Sequence, residues 1–125
     1  MIVACVDKNL RNLPPNPLAY NRDAVTHITV DAQYRVCAMS LYAGSIMVLV
    51  CDDAGLPNWY PMQLFRVEDS KVPDGWRFAS YGESTHLQAL WGYDELVDDE
   101  SHYDALLERR DEALAILFSR CGQRT

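Results

Sequence analysis

Ser45-Ile46-Met47-Val48-Leu49-Val50-Cys51, followed at once by Asp52-Asp53-Ala54-Gly55, decides how this chain is read. The first run carries no charge, is rich in branched side chains and is too short for a typical helix. It therefore reads as a strand covered on both faces. The second run is a turn signal, because aspartates accept local backbone bonds and glycine tolerates positive φ. A hairpin is predicted there.

Tyr42-Ala43-Gly44 supplies a turn before the central strand. Ahead of it Tyr34, Val36 and Ala38 alternate with Arg35, Cys37 and Met39, as on a strand. Residues 25–30 are rich in β-branched side chains and predict a further strand, with Asp31-Ala32 turning between the two. Downstream, Trp59-Tyr60 and then residues 62–67 form the return strand, with Pro61 marking an edge or a bulge. Pro73-Asp74-Gly75 is the next turn and leads to a strand over 76–81, where Trp76, Phe78 and Ser80 share a face. Four or five antiparallel strands are expected.

The flanks differ. Residues 2–6 are a short apolar run that reads as a strand, and Pro14, Pro15 and Pro17 forbid regular structure after it. Residues 8–23 are thus a long loop and one contact surface. Residues 86–91 lean to a short strand, followed by a helical turn over 93–96. From Ser101, read as an N-cap, no proline or glycine occurs before Gly122, which predicts one helix over 101–121. Tyr103, Leu106, Leu107, Leu114, Leu117, Phe118 and Cys121 form its apolar stripe and pack on the sheet. Glu108, Arg109, Asp111 and Glu112 lie on the solvated side.

At 125 residues, 49% hydrophobic and 23% charged, the chain has the size and composition of a single domain over residues 1–125. A formal charge of −7 repels phosphate backbones and anionic membrane surfaces, so neither nucleic acid nor a membrane is an expected partner. It favours encounter with a basic protein. No apolar stretch is long enough to span a bilayer, and no basic segment precedes Cys5 as a signal peptide would require, so a cytoplasmic location is expected. Cys5, Cys37, Cys51 and Cys121 each lie in or beside an apolar run and are read as free buried thiols. No C-x-x-C or H-x-x-x-H spacing occurs, and His27, His86 and His102 are scattered. No metal and no cofactor are expected.

Partner-binding candidates are acidic and aromatic. Asp52 and Asp53 offer two carboxylates at a hairpin, though turn formation alone accounts for both. Asp98, Asp99 and Glu100 precede the helix, where the macrodipole favours negative charge, and Asp94 and Glu95 extend the patch. Trp76 and Trp91 are read as core, whereas Trp59 and Tyr60 follow a turn beside a proline and are the exposed aromatic pair. Nucleophilic chemistry would need Cys37 or Cys51 with His27 or His86, or Ser84 with His86. None of these forms a motif, and a cysteine inside an apolar strand is inert. No catalytic residue is assigned.

The segments I-T-V-D-A-Q-Y-R-V-C-A, V-L-V-C-D-D-A-G, Y-P-M-Q-L-F-R-V and W-R-F, lying between Ile28 and Phe78, resemble small bacterial proteins, some of which are grouped with toxin-immunity proteins. The pattern is also similar to small SH3-like barrels. It covers under half the chain and is carried by strand and turn residues, so it assigns no site residue. The resemblance implies an inhibitor that binds and blocks a toxin, an activity needing no cofactor. The expectation is an α+β fold: a small antiparallel, barrel-like sheet with a long C-terminal helix on one face. The expected function is non-enzymatic binding of a basic toxin or other protein partner. The rival is a small enzyme or ligand-binding domain with a pocket between sheet and helix.

Overall fold

The computed structural model describes residues 1–83 and 85–121. Its strands are β1 (Ile2–Cys5), β2 (Gln33–Tyr42), β3 (Ser45–Cys51), β4 (Pro57–Pro61), β5 (Phe65–Asp69), β6 (Arg77–Ser80) and β7 (Leu87–Gly92). Three helices follow: α1 (Asp94–Asp98), α2 (Glu100–Leu107) and α3 (Asp111–Cys121). The fold is α+β, with a seven-stranded sheet paired antiparallel throughout its described ladders.

The apolar run 45–51 is β3, and it is covered on both faces. Val48 and Val50 enter one core with Val36, Tyr34 and Leu64. Leu49 and Cys51 enter the other with Leu90, Leu96, Leu106 and Leu117. The first core is sealed by Leu10, Leu13, Tyr20 and Ile28 from the N-terminal loop, the second by the helices. The β2–β3 turn places Ala43 and Gly44 at φ 48 and 80, the left-handed pair of a two-residue hairpin turn. The β3–β4 hairpin has its predicted glycine at φ 76.

Strand β2 organises the sheet. One edge pairs with β3, while the other is shared between β1, at Gln33, Tyr34 and Arg35, and β7, from Ala38 to Tyr42. Gly92 makes the β7 pairing possible, since a Cβ there would lie 2.9 Å from that of Ala38. The pairing path ends at β4 and β5, which do not pair with each other, so the sheet is not closed into a barrel.

Several expectations need correction. Residues 25–30 are not a strand: only Ile28 is deeply buried, and the segment lies extended with its backbone held by side chains. Tyr60 Oη accepts from His27 N at 3.2 Å, and Tyr34 Oη from Thr29 N at 2.8 Å. Residues 62–67 do not continue the return strand, because a 3-10 turn at Met62–Leu64 after Pro61 redirects the chain and β5 pairs with β1. The C-terminal helix is broken into α2 and α3, with Arg109 at φ 56 between them. Arg110 N donates to Ala105 O and Arg109 N to Leu106 O, the bond pattern that closes a helix around a left-handed residue. The N-cap is Asp99, not Ser101: its carboxylate accepts from Ser101 N at 3.0 Å. Finally, Cys37 and Cys121 are not free thiols but a disulfide, joining β2 to the end of α3. Disulfides belong to oxidising compartments, which bears against the cytoplasmic placement expected from the sequence. Among the described residues no helix is long and apolar enough to cross a membrane.

Candidate functional site

The two aspartates of the β3–β4 turn have different settings. Asp52 is 1% exposed. Its carboxylate accepts from Tyr60 Oη at 2.6 Å, Asn58 Nδ2 at 2.8 Å and Ala54 N at 3.0 Å, so it is a satisfied internal hub. Asp53 is exposed and accepts from Thr29 Oγ1 at 2.7 Å and Tyr34 Oη at 2.9 Å. Together they fasten the extended segment 25–30 to the hairpin.

Tyr60, expected at the surface, is 6% exposed, and burial first, then its bond to Asp52, pushes its phenol far up. Two of the seven expected partner-binding side chains therefore lie inside. Trp59 is half-buried, with its ring 6.3 Å from that of Tyr103. Trp76 and Trp91, expected in the core, are also half-buried, and Trp91 stacks at 4.9 Å on the exposed ring of Phe78.

The acidic residues before the helices are exposed. Asp98 pairs with Arg77 at 3.1 Å, and Asp99 caps α2, which holds its carboxyl below the usual range through its bond to Ser101. Glu100 begins α2. Because the chain breaks at Arg109, α2 and α3 fold back beside α1 and enclose a groove of about 470 Å³. Glu95, Asp99, Asp104, Glu108 and Glu112 line it against a single guanidinium, Arg110, which Glu108 holds at 2.7 Å. Glu95 is held by Arg120 Nε at 2.6 and 2.9 Å. At the groove's inner wall His102, 5% exposed, shares a 2.7 Å bond with Tyr93 Oη. The groove depends on the break at Arg109, which no glycine or proline signals, so it was not visible in the sequence, although Asp99 and Glu95 were singled out.

A second concavity, about 420 Å³, lies between β2 and the end of α3, bounded by Arg35, Cys37, Trp76, Asp94, Arg120 and Cys121 among others. None of its charged residues but Asp94 was singled out beforehand. Arg35 sits on the strand face that alternates with Tyr34, Val36 and Ala38, and Arg120 in the last helical turn. The groups weighed for nucleophilic chemistry are not assembled. Cys51 is buried and its thiol is pushed up to about 11 by burial, while Cys37 is consumed in the disulfide. His27 and His86 are exposed, and Ser84 lies outside the described residues. Among the described residues, no group of three or more His, Cys, Asp or Glu is placed to hold a metal ion.

No protein-family model, curated protein or solved structure matches this chain.

Proposed function

We propose that this protein is a non-enzymatic binding protein of the immunity or inhibitor type, and that its partner is a basic protein, such as a toxin, received at the groove between α2 and α3. The observation that supports this reading is the lining of that groove, with five carboxylates against one guanidinium on a chain of net charge −7. Opposed charge accelerates encounter and fixes orientation, and it does so most strongly where the surface is concave. Of the expected acidic patch Asp99 lines the groove, while Asp98 and Glu100 are its neighbours in sequence and lie outside the lining. At the hairpin Asp53 is exposed but engaged by Thr29 and Tyr34, and Trp59 is half-buried, whereas Asp52 and Tyr60 support from within.

The test is affinity capture from a lysate of the source organism, run beside the triple variant Asp104→Asn, Glu108→Gln, Glu112→Gln. A basic protein retained by the natural chain, and lost both with the variant and near 1 M salt, where screening extends over only about 3 Å, is the expected result. Equal capture by the variant, or none by either chain, would remove the groove from consideration.

A further inference from the structure

The concavity between β2 and α3 carries a separate inference. Arg35 donates through Nη1 to the carbonyl of Cys121 at 2.7 Å, which fixes the guanidinium at the cavity wall. Arg11, Arg66, Arg77, Arg110 and Arg120 each hold a carboxylate; among the described residues Arg35, like Arg22 and Arg109, pairs with none, and of these three only Arg35 borders this cavity. A guanidinium has five N–H donors in a planar fork, so most of its donors remain for an oxygen anion.

The other charges of the cavity set the ligand's charge. Asp94 pairs with Arg120 at 3.3 Å, and Glu95 binds Arg120 as well, so that arginine is already neutralised. Asp94 faces the same space and penalises a second negative charge on anything bound there. A single anionic group is favoured over a dianion. Apolar surface is supplied by Val36, the disulfide and the half-buried ring of Trp76. About 420 Å³ falls within the ~300–1,000 Å³ of small-molecule sites, and an apolar space of roughly 150 Å³ already holds benzene.

We infer that this cavity binds a small aromatic monocarboxylate, with its carboxylate on Arg35 and its ring against Trp76. The ligand is recognised by direction and shape, since the overall field of the protein repels it at long range. The inference is independent of the groove and of any protein partner.

Three probes of one shape test it on the oxidised chain: naphthoate, the neutral naphthamide and the dianionic naphthyl phosphate, each titrated into 15N-labelled protein. Naphthoate is expected to shift the Trp76 indole and the Arg35, Cys37 and Cys121 amides saturably. It should bind about tenfold or more tighter than the other two, as a hydrogen-bonded charge requires. Arg35→Gln should bring naphthoate down to the affinity of naphthamide and leave naphthamide unchanged, a split that loss of packing would not produce. Should that variant not fold, the three probes on the natural chain decide alone. Equal binding of naphthoate and naphthamide, tighter binding of the phosphate, or no shift at these residues overturns the inference.

Discussion

Asp52 shows how far a single residue departs from its sequence context. Its place in a turn was legible, because Asp followed by Gly is turn chemistry. Its burial was not, since aspartate is seldom buried unless paired, and its donors Tyr60 and Asn58 come from the facing strand. Asp52→Ala strands the Tyr60 hydroxyl and the Asn58 amide inside the protein. We expect a loss of about 2–4 kcal/mol in urea unfolding, with the slope unchanged. His102 supplies a second expectation. Burial lowers its pKa from the ordinary 6.5, against the opposing pull of Asp99 and Glu95, so the folded state resists protonation. Below 6.5 the unfolded chain takes up the proton first, and stability is lost as pH falls from 6.5 through the folded value. His102→Gln should flatten that part of the stability profile measured between pH 7 and 5.

At the scale of elements, the hairpins and the double-faced β3 were legible because they rest on local signals: glycine at positive φ and an unbroken apolar run. The helix break was not, because the left-handed position that usually carries glycine or asparagine carries Arg109. Residues 25–30 misled for a related reason: branched side chains suit extended backbone, but pairing needs a free neighbouring edge, and β2 spends its edges on β1, β3 and β7. Arg109→Gly relieves the left-handed cost of a side chain, about 1 kcal/mol, and gives up one exposed bond to Asn58 worth less. A net gain of about 0.5 kcal/mol is expected, read as a higher melting temperature with unchanged helical circular dichroism.

For the whole molecule, the decisive tie is the disulfide between Cys37 and Cys121, separated by 84 positions. Each cysteine sits in an apolar context that suits a free thiol equally well, so only the packing of α3 on β2 reveals the partnership. In the chain-entropy account a loop of this length restricts the unfolded state by about 4–5 kcal/mol. The double variant Cys37→Ser, Cys121→Ser should lose up to that amount, and a reductant should have the same effect on the natural chain and none further on the variant. The same bond also decides how the chain answers mechanical tension. Pulled from residue 1 and residue 121, the oxidised chain carries the load through the sulfur bridge, and everything between the cysteines is shielded. Only residues 1–36 can pay out, at most about 120 Å of contour, whereas the reduced chain can extend to roughly 400 Å. Under force β1 would be drawn from between β2 and β5 and its proline-rich loop from the first core, while everything between the two cysteines stays a closed loop that tension cannot lengthen.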